Sequence, residues 1–158
     1  MLLNEIAKKK GTYAGVKFDK STVDKLVKYM KAAGIPSPSS KDDLHTTLLY
    51  SRTECPDYEP DVNCQYIGTP SGFEKFGDDK NTLVLAFDCP ELAKRHSQLR
   101  KEHGATWDYP SYIPHITLSY DAADVDISKL PDISDFIDKV VCSSEYKEDL
   151  NLDWENDH

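Results

Sequence analysis

The chain has 158 residues, 39% of them hydrophobic, which suits one domain or two small lobes sharing an interface. A formal net charge of -9 argues against a broad basic face for duplex DNA or long RNA, because such binding neutralises many phosphates, though a small anion in a locally positive pocket stays open. No apolar run approaches the roughly eighteen residues of a membrane span, and the start of the chain lacks a signal peptide's apolar stretch, so a soluble, cytoplasmic protein is expected.

Thr12 to Phe18 reads as a first strand. Asp19 to Ser21 can cap a helix carrying Val23, Leu26, Val27 and Met30 at helical spacing, stopped by Gly34 and Pro36. A loop from Pro36 to Asp43 leads into His45-Thr46-Thr47-Leu48-Leu49-Tyr50. Arg52 to Pro60 is an exposed connection, Val62 to Gly68 a strand, and Thr69 to Asn81, with Pro70, Gly72 and Gly77, a longer loop carrying Phe73 and Phe76. Thr82 to Phe87 is a strand of the continuous apolar kind, and Pro90 opens a helix that Gly104 ends. After His115-Ile116-Thr117-Leu118-Ser119-Tyr120 comes an acidic loop, Asp121 to Ser134, then a strand from Phe136 to Tyr146. The tail from Lys147 to His158 is acidic and holds Trp154; a solvated tail and a flap over a ligand are both open readings. Cys55, Cys64, Cys89 and Cys142 include no C-x-x-C pair and read as buried or idle thiols.

Two phrases of the form His-x-Thr-Leu-x-Tyr thus stand seventy positions apart, and the repetition extends beyond them. Phe18, Gly34 and His45 recur as Phe87, Gly104 and His115, so the duplicated unit is strand, helix, loop and motif strand, about 12–50 and 82–120. Internal symmetry of this kind predicts two lobes about a pseudo-twofold axis, with the motif strands facing each other. Strict alternation places His and Thr on the cleft face and Leu48, Tyr50, Leu118 and Tyr120 behind it, as anchors.

Paired histidines across a cleft can serve as general base and general acid, since imidazole titrates near neutrality. Thr47 and Thr117 share their strand face and can donate hydrogen bonds to a phosphoryl oxygen. His45, Thr47, His115 and Thr117 are therefore the candidate catalytic residues, suited to attack of a ribose 2′-hydroxyl on the adjacent phosphorus. Zinc is the rival use of histidine, but each motif supplies one ligand, with no carboxylate or cysteine at ligand spacing. His96 and His103 on the second helix, and the terminal His158, read as structural or solvated.

The paired motifs and their strand-helix units resemble the 2H phosphoesterase superfamily. The whole chain further resembles the phage anti-CBASS nuclease family, through Gly-Thr-Tyr near the start, Leu-His-Thr-Thr-Leu-Leu-Tyr-Ser, Tyr-Ile-Pro-His-Ile-Thr-Leu-Ser-Tyr and the acidic end with Trp154. The resemblance implies an α+β fold, bilobal and pseudo-twofold, with antiparallel sheets lining a central cleft and helices outside. It also implies cofactor-free, metal-independent hydrolysis of 3′-5′ linkages in cyclic di- and trinucleotide messengers such as 3′,3′-cGAMP. Base contacts would fall to Tyr13 and Phe76, with Glu145 accepting from an adenine amino group and Trp154 closing the pocket. Tyr13 packing at a sheet edge, Phe76 pinning its own loop and a solvated Glu145 are the plainer readings. Two alternatives to this activity are an RNA-processing enzyme acting on 2′,3′-cyclic phosphate ends and a non-catalytic sponge for cyclic nucleotides.

Overall fold

The computed structural model describes residues 10–152. Eight main elements run in the order β1 Lys10–Phe18, α1 Lys20–Ala32, β2 Thr46–Ser51, β3 Tyr66–Phe76, β4 Thr82–Asp88, α2 Pro90–His103, β5 His115–Ser119 and β6 Val140–Asn151. Short 3-10 turns at Ile127–Lys129 and Ile133–Asp135 carry the chain to β6.

Each helix starts and stops for local reasons. Asp19 accepts a hydrogen bond from the Thr22 amide at 2.8 Å, satisfying one of the donors that α1 leaves open. Pro90 begins α2, where its missing N–H costs nothing. Gly34 and Gly104, past the two helix ends, both hold φ near +65°, a left-handed conformation that glycine adopts without a Cβ penalty. Leu26, Tyr29 and Met30 of α1 and Leu92 and Leu99 of α2 are buried in one core with Leu48, Leu85, Phe87 and Leu118.

The six strands form an antiparallel sheet in the order β2, β1, β6, β3, β4, β5. It consists of two three-stranded halves, and the duplicated units supply β1 with β2 in one and β4 with β5 in the other. The halves meet where β6 pairs with β3, through Tyr66 with Cys142, Ile67 with Val141 and Gly68 with Val140. Beyond that short ladder β6 turns to β1 and β3 to β4, so the halves part and a cleft opens between them. The fold is thus α+β with a pseudo-twofold arrangement, as expected.

Three expectations change. Thr69 to Phe76 is no loop: it continues β3 along β4, and Pro70 is tolerated because a bulge separates its pairing with Phe87 from that of Gly72 with Ala86. Lys147 to Asn151 is no free tail, since it extends β6 along β1 as far as the pairing of Lys10 with Asn151. Trp154 lies outside the described residues.

The third change concerns the motif strands. In β2 the register jumps from Ala14 opposite Leu49 to Gly15 opposite Thr47, leaving Leu48 as an extra residue. In β5 it jumps from Leu83 opposite Ser119 to Val84 opposite Thr117, leaving Leu118 extra. The same bulge therefore sits at the Leu of both phrases, and each reverses the alternation beyond it. Leu48 and Leu49 are both buried, as are Leu118 and Ser119, while Tyr50 and Tyr120 return to the face that His and Thr occupy. Tyr120, expected as an anchor behind the sheet, is 66% exposed.

Candidate active site

The bulged strands form the two outer edges of the sheet and come together across the cleft, where the Thr46 hydroxyl donates to the His115 carbonyl at 3.0 Å. Each motif histidine is oriented in the same way. His45 Nδ1 lies 2.7 Å from the Asp43 carbonyl, and His115 Nδ1 lies 3.1 Å from the Ile113 carbonyl, in each case two residues back along the chain. A carbonyl only accepts, so both Nδ1 atoms carry hydrogen and both Nε2 atoms are left to exchange protons with whatever the cleft holds.

Two arms of the cleft, of about 980 and 870 Å³, adjoin at Thr47 and Tyr50. The first contains His45 and Thr117 with Tyr13, Lys17, Tyr120, Tyr146 and Glu148. The second contains His115 with Arg52, Phe76, Trp107, Tyr109 and Ile113. The structure thus places His45, Thr47, Thr117 and Tyr13 along one arm and His115 and Phe76 along the other, with Thr47 lining both.

Tyr13 is not packing at a sheet edge. Its hydroxyl lies 3.0 Å from Thr47 Oγ1, and its ring meets His45 edge-on with centroids 6.4 Å apart. Burial pushes its pKa up, against the opposing effect of hydrogen bonds with Thr47 and Tyr146, so the phenol stays protonated. Tyr146 lies over β1 at Gly15, where an added Cβ would stand 2.5 Å from the Tyr146 hydroxyl; only glycine admits the ring there. Phe76 plays the matching part in the other arm, edge-on to His115 with centroids 5.2 Å apart and 40% of its surface exposed.

Glu145 is placed elsewhere. Its side chain is fully buried, and its two oxygens accept from the Tyr58 hydroxyl at 2.8 Å, the Asp61 amide at 3.0 Å, the Tyr66 hydroxyl at 2.6 Å and Arg95 Nε and Nη2 at 2.9 and 3.1 Å. Burial alone would raise its pKa, but the Arg95 guanidinium and the other donors outweigh that and hold it below the ordinary carboxylate range. With its lone pairs occupied, Glu145 joins β6 to α2 and to the 58–66 segment and does not meet a nucleobase. The bulge between Lys17 and Phe18 in the pairing of β1 with β6 sets the facing of this stretch, so that Tyr146, Glu148 and Leu150 line the cleft instead.

Several lining residues carried no sequence signal. Tyr50 and Tyr120 are turned inward by the bulges. Trp107, Tyr109 and Ile113 belong to a Pro-containing loop whose apolar residues have no periodicity to read. That loop is tied down by Arg52, whose Nε and Nη2 each lie 3.0 Å from a carboxylate oxygen of Asp108, and by the Trp107 indole donating to the Ser111 carbonyl at 3.0 Å. The cleft is not strongly positive: Lys17 and Arg52 are set against Asp43, Asp108, Asp121 and Glu148. An anion there would meet the hydroxyls and imidazoles of the two motifs rather than a cluster of fixed positive charges. Among the described residues no three His, Cys, Asp or Glu side chains gather as metal ligands, and the cysteines are buried and free.

Known proteins give this geometry a family. By shape the chain resembles the crystal structures of E. coli LigT complexed with NADP+ (TM-score 0.58, 14% identity, 89% of this chain and 87% of that one) and of TT0787 of Thermus thermophilus (TM-score 0.54, 18% identity, 86% and 82%). At such identities the likeness shows the fold alone. By sequence, residues 10–157 match the family model described as anti-CBASS protein Acb1. The chain is 39% identical over 146 residues to anti-CBASS protein Acb1 of Acinetobacter phage Ac42, covering 92% of this chain and 94% of that protein. It is 36% identical over 148 residues to the Enterobacteria phage T4 protein of the same name, covering 93% of each. The doubled His-x-Thr strands and the cleft between them therefore sit on a LigT-like fold, and the chain belongs to the Acb1 family of anti-CBASS proteins.

Proposed function

We propose that this protein is a metal-independent phosphodiesterase that cleaves 3′-5′ linkages of cyclic di- and trinucleotide messengers, such as 3′,3′-cGAMP, and so blunts CBASS antiviral signalling in the host cytoplasm. The observation that carries this reading is the matched orientation of His45 and His115. Each commits Nδ1–H to a backbone carbonyl, leaving one Nε2 to accept a proton and the other, when protonated, to give one.

In the first step one imidazole removes the proton from a ribose 2′-hydroxyl. The oxygen attacks the adjacent phosphorus, and the other imidazolium protonates the departing 5′-oxygen. The products are a 2′,3′-cyclic phosphate and a free 5′-hydroxyl, with the proton carried from one histidine to the other. Water then opens the cyclic phosphate with the two roles exchanged, restoring the original protonation. Thr47 and Thr117 donate to the non-bridging oxygens as negative charge grows on them. Tyr13 holds the Thr47 hydroxyl in register for this task.

The two arms fit a ligand with two bases on either side of its reacting phosphate. One base would lie among Tyr13, Tyr120 and Tyr146, and the other against Phe76 and the Trp107 to Ile113 loop. Stacking on an aromatic ring contributes roughly 1–3 kcal/mol per base. The test is chromatography of 3′,3′-cGAMP incubated with the protein and EDTA, beside its 2′-deoxy analogue. Cleavage of the ribose form alone is expected. Recovery of both intact would overturn the enzymatic reading, and opening only of 2′,3′-cyclic mononucleotides would point to RNA-end processing.

A further inference from the structure

A bulge in an outer strand leaves two successive carbonyls with no ladder partner, and both motif strands meet that demand. In β5 one residue serves both: the Ser39 amide donates to the Leu118 carbonyl at 2.8 Å and the Ser39 hydroxyl to the Thr117 carbonyl at 2.9 Å. In β2 two side chains divide the same task. Tyr112 Oη donates to the Thr47 carbonyl at 2.7 Å, and His96 Nδ1 meets the Leu48 carbonyl, also at 2.7 Å.

His96 is the unexpected member. It is 2% exposed, stacked on Tyr112 with centroids 4.2 Å apart and planes 10° apart, with Trp107 edge-on at 4.6 Å. Because Nδ1 bonds a carbonyl it must carry hydrogen, so in the neutral ring Nε2 is a lone-pair acceptor, and no partner meets it among the described residues. A merely space-filling position would be better occupied by an apolar ring, which leaves no buried nitrogen unsatisfied. What an apolar ring cannot do is hold the Leu48 carbonyl.

We infer that His96 is a positioning residue for Thr47: with Tyr112 it locks the Leu48 bulge, and the bulge in turn aims the Thr47 hydroxyl and Tyr50 into the cleft. The inference rests on the phosphodiesterase reading for its kinetic test, but the lock itself is a property of β2. His96→Asn keeps an N–H donor at the place of Nδ1, whereas His96→Leu removes it and keeps the bulk. With 3′,3′-cGAMP, His96→Leu should lower kcat about tenfold with KM changed less than about twofold, the size expected for losing one orienting hydrogen bond. His96→Asn should recover most of that loss. Tyr112→Phe, which keeps the stack but loses the donor to Thr47, should fall between them, and it supplies the test if the Leu variant does not fold.

Equal kcat for the Leu and Asn variants, or a lowered melting temperature with wild-type kcat, would overturn the inference. If the wild type cleaves no cyclic nucleotide, the proposed function fails and amide hydrogen exchange decides this one separately. Faster exchange at Leu49 and Tyr50 in His96→Leu, restored in His96→Asn, supports the lock, and unchanged exchange refutes it.

Discussion

The two halves of the sheet share a skeleton and differ in what covers it. Both end in a bulged strand at the same Leu, both orient a histidine through the carbonyl two residues back, and both set an aromatic ring edge-on to that histidine. The surroundings are unlike. Around His45 stand tyrosines with Lys17 and Glu148, whereas His115 has Phe76 and an aromatic loop pinned by an ion pair. On the proposed function, the features that proton transfer would require twice are present twice, while those that would recognise a substrate with two different ends have diverged.

Mutation can break this comparison at several levels. The largest effect should come from the histidines: His45→Ala and His115→Ala should each lower kcat by about 10²- to 10⁴-fold, the usual contribution of one positioned proton-transfer group. Near-equal losses in single-turnover assays would support exchangeable roles, and a loss in only one variant would refute them.

Next comes stability, through the buried pair that neither half duplicates. Glu145→Ala strands Arg95 and two tyrosine hydroxyls and should cost about 3–5 kcal/mol, read by denaturant unfolding. Because the fold holds the Glu145 carboxyl below its ordinary range, its contribution is complete at neutral pH. It should fade only below the unfolded carboxyl value of about 4.3, as pH drops through the lower folded value. Melts of Glu145→Gln should lack that acid step, and an unchanged step would disprove the assignment.

Smaller effects should separate the arms. Phe76→Ala should weaken substrate binding by roughly 1–3 kcal/mol, one stacked base, with little change in the rate at saturation. Tyr13→Phe keeps the ring against His45 but frees the Thr47 hydroxyl; a net hydrogen bond of about 0.5–1.5 kcal/mol predicts a severalfold drop in kcat. A change in KM alone would remove the role of orienting Thr47 and leave Tyr13 with base binding only.

Much of this was legible in the residues because repetition survives at the level of punctuation: Gly34 and Gly104, His45 and His115, strand against strand. The errors share one cause, which is that a partner far along the chain overrode a local rule. Tyr50 and Tyr120 were expected behind the strand because alternation holds until a bulge interrupts it, and a bulge is defined by the neighbouring strand. Pro70, Gly72 and Gly77 read as loop punctuation, yet β4 supplies a ladder for the segment between them. Glu145 looked available to a ligand because Arg95, fifty residues away, leaves no trace in its neighbourhood. His96 read as structural, and the carbonyl it holds could be known only from the fold.

The outer strands have one more consequence. An exposed sheet edge with open carbonyls is a template on which a foreign strand can add, the usual route to aggregation in β-rich proteins. Here Tyr112 and His96 occupy carbonyls of the β2 edge, and the Thr46 hydroxyl, Ser39 and the Pro38 bridge to Ser119 occupy the β5 edge. The contacts that shape the cleft therefore also blunt both edges, and a variant that loosens them should lose solubility along with turnover.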